Sequence, residues 1–247
     1  MGSMRILAIE TATPVGSVAL LDGHEVVREV TEHVPQRHLE WLAPAIAAIL
    51  ESSGWRPEEV EGVAVSLGPG LFTGLRIGIA TAAAWAYARG VPVVGVSTLE
   101  VLATGTVAGG ATGLICPVLD ARRDEVAFAL FEWRPLAVRV LDDTIGPASA
   151  LLERMPEGAS VTFTGDGVPR ILDAIRSRPQ TVIAPAAAWH PRAAVAGAVA
   201  LGRLAHGDRD DPYLLRPVYA RGAGITPSRW TVAAEAGEGT PRRAGEE

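Results

Sequence analysis

Two kinds of apolar pattern alternate along this chain. Short continuous runs, Ile6-Leu7-Ala8-Ile9, Ser17 to Leu21, Val63-Ala64-Val65 and Val91 to Val96, have strand length and are bounded by Gly, Pro or polar turns. Asp22-Gly23 signals a hairpin, and His24 to Glu32 then alternates as a third strand. Longer segments have helical spacing. The first runs from about His38 to Ser52 and is closed by Gly54. Its apolar residues, Leu39, Trp41, Leu42, Ile46, Ile49 and Leu50, cover more than one stripe. The second, Ile77 to Ala88, carries no charge and is thinned by Ala82, Ala83 and Ala84. A helix apolar all round is buried on more than one side. One face of each helix therefore meets a sheet, and the other meets a second helix or another protein.

The order strand, acid, turn, strand occurs twice. Ile6 to Ile9 leads into Glu10, a turn and Ser17 to Leu21, and Ile115 to Leu119 leads into Asp120, the turn Ala121 to Glu125 and Val126 to Phe131. The offset from Glu10 to Asp120 equals that from Ala19-Leu20 to Ala129-Leu130, which predicts a duplicated domain. A Gly/Thr/Ala-rich break, Thr104 to Gly113, separates the copies. The expected organisation is a first domain over 4–110 and a second over 111–188, with a return segment over 189–221. The Ala-rich helix near 191–206 is expected to pack back on the first domain. Phe163 to Val168 predicts a strand and turn, Pro169 to Ser177 a helix, Val182 to Ala184 a short strand and Asp210 to Tyr219 an extended segment. Residues 222–247 read as a disordered tail, and residues 1–3 as an expression scar.

Composition narrows the chemistry. The formal charge of -6 argues against strong autonomous nucleic-acid binding, which leans on phosphate neutralisation. The single cysteine, Cys116, offers no disulfide framework and suits a reducing cytosol. No apolar run is long enough to span a bilayer. His24, His33, His38, His190 and His206 include no His-x-x-x-His pair, so no metal site is expected. Neither a nucleophile elbow nor a P-loop occurs.

The strongest local signal is Ser66-Leu67-Gly68-Pro69-Gly70-Leu71-Phe72-Thr73-Gly74-Leu75-Arg76-Ile77-Gly78. It joins a strand to a helix through a tight turn in which Gly68 and Gly70 permit unusual backbone, and Thr73 is the expected N-cap. Such a junction either faces an anion or packs as a turn, and both readings stay open. So do two for Glu10 and Asp120. The duplicated layout resembles that of the actin-like, sugar-kinase and Hsp70 ATPase superfamily, where the acids after the first strand of each half hold Mg²⁺ or water; otherwise they are turn acids. Glu10, Gly68, Gly70 and Asp120 are therefore weak nucleotide-site candidates. A stand-alone ATP-dependent small-molecule kinase, drawing on Glu10, Asp120 or Asp166, is the alternative function.

Ile6 to Leu20, the Gly68 to Gly78 stretch, Gly90 to Glu100 and Val118 to Val126 together resemble the bacterial TsaB (YeaZ) family over about residues 4 to 220. The resemblance implies a two-domain actin-like fold of duplicated βββαβα units. It also implies an accessory, non-catalytic paralogue of TsaD, because Thr98 and Leu102 stand where the catalytic paralogue carries its His-x-x-x-His metal pair. The implied partners are a TsaD-type catalytic subunit and a TsaE-type ATPase, with tRNA met through the complex and a homodimer formed by the chain alone. The implied work is cytoplasmic synthesis of N6-threonylcarbamoyladenosine next to the anticodon, with no cofactor of its own and a nucleotide only in the assembled complex. Leu39, Leu42, Ile46, Leu75, Ile79 and Ala83 are the expected interface residues.

Overall fold

A computed structural model describes residues 3–134 and 136–219 of the chain. The tail read from residue 222 onward, and Met1 and Gly2 of the leading scar, lie outside the described residues.

The chain forms two five-stranded mixed sheets of matching order. In the first, β1 (Arg5–Glu10), β2 (Val15–Asp22) and β3 (Glu25–His33) make an antiparallel meander, and β4 (Gly62–Gly68) and β5 (Val93–Ser97) add in parallel beyond β1. The order is β3-β2-β1-β4-β5. In the second, β6 (Leu114–Arg122), β7 (Glu125–Arg134) and β8 (Leu136–Gly146) form the meander, and β9 (Val161–Thr164) and β10 (Thr181–Ile183) extend it in parallel beyond β6. Both the order and the strand directions repeat, so the acids at the ends of β1 and β6 occupy equivalent places.

Helices α1 (His38–Ser53) and α2 (Phe72–Arg89) cover one face of the first sheet, and α6 (Ala193–Ala205) covers the other. Strand β1 is buried on both sides, with Leu7 and Ile9 toward α1 and α2 and Ile6 and Ala8 toward α6. This explains its continuous apolar run, since alternation is needed only where one face meets water. Gly54 and Gly90 end α1 and α2 in the left-handed conformation, at φ 73° and 65°. Helix α6 has no side-chain cap of its own, and its first amides are satisfied from the sheet. Ala193 N–H donates to Ser17 Oγ at 3.1 Å and Ala194 N–H to Glu29 Oε1 at 3.0 Å, while Arg192 pairs with the same Glu29. A buried carboxylate at a helix N-terminus meets both the orphan donors and the macrodipole.

The stretch read as a break is helix in its first half. Helix α3 (Thr98–Ala108) runs through Thr104 and Gly105, and only residues 109–113 are irregular. It packs Leu99, Leu102 and Ala103 on the second sheet and Val101 on the first. Burial between two sheets outweighs the weak helix propensity of Thr and Gly, and the Thr106 hydroxyl is satisfied by Leu102 O at 2.8 Å. The other face of the second sheet is covered by α4 (Ala148–Glu153) and α5 (Val168–Arg176). Among the described residues no helix is long and apolar enough to cross a membrane.

Candidate functional site

The glycine stretch packs against the turn after β1. A Cβ on Gly70 would lie 2.4 Å from Ala12 O, and one on Gly74 only 2.1 Å from Thr11 O. Both neighbours are backbone and cannot swing away. The junction is closed by Leu71 N–H donating to Ala12 O at 2.7 Å and by Thr11 Oγ1 donating to Gly74 O at 2.8 Å. Gly68, at φ 112°, faces the C-terminal segment, where its Cβ would meet Val218 O at 2.1 Å. Thr73 is not the N-cap of α2. Leu71 holds that position without a side-chain bond, because the Leu71–Ala12 contact sets where the helix starts.

Glu10 is fully buried and turned toward β4, not a surface acid. Its Oε2 accepts the Ser66 hydroxyl, and its Oε1 accepts Ala12 N–H at 2.7 Å. Burial pushes its carboxyl up to about 7, against the opposing pull of the bonds from Ser66, Ala12 and Thr11. His38, 3% exposed, places Nε2 2.9 Å from Thr13 O. A carbonyl only accepts, so Nε2 carries the proton; burial lowers the pKa of this ring.

Between the two halves lies a cleft of about 180 Å³ lined by Ala12, Thr13, Gly70, Leu71, Asp120 and Asp166, among others. Asp120 faces it already engaged. Arg170 Nε lies 2.7 Å from its Oδ1, which also accepts Arg122 N–H at 2.8 Å, and Asp120 N–H donates to Asp166 Oδ1 at 3.0 Å. Burial, reinforced by the charge of Asp120, raises the pKa of Asp166. These residues do not fit a Mg²⁺-nucleotide. Small-molecule sites start at about 300 Å³, Glu10 is spent on Ser66, and Asp120 is neutralised by Arg170. Among the described residues no three His, Cys, Asp or Glu side chains converge on a metal position. Thr98 and Leu102 are both buried in the core, at 0% and 1% exposure.

The expected interface residues separate. Leu42, Ile46, Leu75 and Ile79 are between 0% and 6% exposed and belong to this chain's own core, so they have no surface to give a partner. The surplus apolar surface of α1 and α2 is absorbed mainly by the first sheet. Leu39 stays 75% exposed, and Ala83 is half-buried. The surface that remains is made of small residues. Ala43, Pro44, Ala47 and Ala48 succeed Leu39 along α1, and Ala80, Ala84 and Ala88 line α2.

Sequence reasoning missed the contribution of the extended C-terminal segment. Asp210 anchors it, with its N–H on Val93 O at 2.8 Å and its carboxylate accepting Gly95 N–H at 2.7 Å. Leu215 is buried in the core below α2, and Val218 N–H donates to Leu67 O at 2.7 Å. Tyr213 meets Tyr87 edge-on at 5.3 Å near the end of α2, and Tyr219 stacks on Phe72 at 4.8 Å at its start. The segment is thus a strap antiparallel to α2. The sequence predicted its extended form, and the aromatic residues at both ends were a local signal for its packing on α2.

Comparison with known proteins gives this architecture a family. The model of the TsaD family, tRNA N6-adenosine threonylcarbamoyltransferase, matches residues 28–171. A Bacillus subtilis protein named tRNA threonylcarbamoyladenosine biosynthesis protein TsaB is 35% identical over 53% of this chain and 56% of its own length. The Escherichia coli protein of the same name is 39% identical over 52% of this chain and 55% of its own. The matched stretch thus spans about half the length of these two relatives. The solved structure of YeaZ from Pseudomonas aeruginosa, 27% identical, superposes over 87% of this chain and 99% of that one with a TM-score of 0.78. A solved activator of 2-hydroxyisocaproyl-CoA dehydratase from Clostridium difficile, 11% identical with a TM-score of 0.51, covers 83% of this chain and 97% of that one and shares the actin-like fold alone. The glycine stretch, the duplicated sheets and these matches together show that the chain belongs to the TsaB (YeaZ) proteins of the TsaD family.

Proposed function

We propose that this chain is an accessory subunit in the synthesis of N6-threonylcarbamoyladenosine in tRNA, and that it docks on and activates a TsaD-type catalytic subunit. A TsaE-type ATPase joins the pair, tRNA is engaged through the assembly in the cytoplasm, and the isolated chain forms a homodimer through the same face. It performs no chemistry itself. That half of the reading is supported by the burial of Thr98 and Leu102 and by the engaged carboxylates of Glu10 and Asp120.

The observation that carries the docking half is the exposed face of α1 and α2. Leu39, Ala43 and Ala47 recur at helical spacing on α1, and Ala80, Ala84 and Ala88 on α2. Rows of small side chains let a second helix pair approach closely and complete a bundle. The experiment is light scattering behind size exclusion, on the chain alone and mixed with the same organism's TsaD-type protein. A homodimer that converts to a one-to-one heterodimer supports the reading. A monomer that ignores the other protein sinks it.

A further inference from the structure

Arg76 lies on α2 one turn after Phe72, with its guanidinium carbon 3.8 Å from the Phe72 ring centroid. Its Nε donates to the Tyr219 hydroxyl at 2.8 Å. Tyr219 is itself stacked on Phe72, so two aromatic rings from distant parts of the chain hold one exposed arginine in place. Among the described residues no carboxylate pairs with it, and its two terminal nitrogens make no hydrogen bond. Helix α2 contains no acid at all, and its other cation, Arg89, is answered by Glu58 at 3.8 Å.

A surface arginine normally either samples many rotamers or pairs with a neighbouring acid. Arg76 does neither. Its ordering is already met in the free chain, and one face is dried by Phe72, while its planar fork of donors stays open. That is the state in which a guanidinium gains most from a planar bidentate acceptor, because little further freedom is lost on binding. The surroundings favour a protein acceptor. Phe72, Tyr87, Tyr213, Leu214 and Val218 are between 41% and 67% exposed around α2 and the strap. Phe72 and Tyr219 hold Arg76 at the start of α2, and Tyr87 and Tyr213 lie near its other end. Exposed aromatic residues together with an ordered arginine are the composition of a protein–protein hot spot. An RNA face would need several open cations, and α2 carries one.

We propose that Arg76 is the charge anchor of the partner face, taking a carboxylate carried on a helix of the catalytic subunit laid along α1 and α2. The strap then has a role in recognition, because Tyr219 aims the guanidinium. This inference rests on the docking face proposed above.

Calorimetric titration of the full chain with the same organism's TsaD-type protein, at low and at high salt, tests it. Arg76→Ala is expected to weaken binding about 30-fold or more and to reduce its salt dependence, with an unchanged melting temperature. Arg76→Lys should recover only part of the loss, and Tyr219→Phe should weaken binding about threefold to tenfold. Ala84→Arg, which blocks the small-residue face, separates the two readings. Arg76→Ala binding like wild type while Ala84→Arg is lost overturns the anchor and leaves the face standing. Both variants binding like wild type overturns both. If Arg76→Ala lowers the melting temperature, Arg76→Lys decides, and undiminished affinity in that variant overturns the anchor. Retained subunit affinity with weakened tRNA binding by the assembly would mean that the acceptor is a phosphate, and also overturns it.

Discussion

Glu10→Gln tests the packing of the glycine junction through pH. The carboxyl is fully buried, has no cation partner among the described residues and is held near 7 by desolvation, whereas an exposed glutamate titrates near 4.5. Between those two values the folded chain keeps a proton that the unfolded chain has released. Stability therefore falls as pH rises through this window and levels off above about 7. Each pH unit of displacement is worth 1.36 kcal/mol, so the loss attributable to Glu10 is about 3 kcal/mol between pH 4.5 and 8. Glutamine has the same shape and can still accept Ala12 N–H and donate to Ser66, but it cannot ionise. The assay is urea unfolding of wild type and variant across this pH range. All other titrating groups are shared and cancel in the difference between the two curves. The variant should gain on wild type by about 3 kcal/mol as pH rises, and be the more stable protein at pH 8. Parallel curves would refute the assignment, and would mean that Glu10 reaches water or an unseen cation in solution.

The same geometry sets other outcomes. Gly74→Ala drives a Cβ to 2.1 Å from Thr11 O, and the urea midpoint should fall by the equivalent of about 3 kcal/mol, the upper end for overpacking, because the neighbour is backbone. Glu29→Ala strips the acceptor from Ala194 N–H and the counter-charge from Arg192 at the start of α6, and should cost about 1–2 kcal/mol by thermal denaturation. Ala84→Arg, on the exposed face of α2, should leave the melting temperature unchanged and remove the heterodimer from the size-exclusion profile. Leu42→Asp, at 1% exposure, should instead lose the circular dichroism of the native fold, since it buries an unpaired charge.

The family and the fold class were legible in the sequence for a physical reason: both are written in local pattern. Ile6 to Ile9 is apolar without alternation because β1 is covered on both faces. Gly54 ends α1 because only a left-handed residue closes that turn cheaply. The repeat of strand, acid and turn around Glu10 and Asp120 reflects duplicated sheets of one topology. Local pattern does not say what lies on the far side of a side chain. Leu42, Ile46, Leu75 and Ile79 are as apolar as Leu39, yet the tertiary structure folds four of them into the chain's own core and leaves one outside. Thr104 to Gly113 has the composition of a loop, and burial between two sheets turned its first half into helix. The acid of Glu10 carries no mark of whether it meets a metal, water or Ser66; the closeness of β1 to β4 decided that. Arg76 and Tyr219 are far apart in the chain, and the strap that joins them exists only because Asp210 and Leu215 are anchored on the first sheet and its core. The sequence alone determined the family and most elements of the first sheet, but not β8, α3 or α4. The side-chain neighbours, and with them the surface offered to a partner, came from packing over distances that no local pattern records.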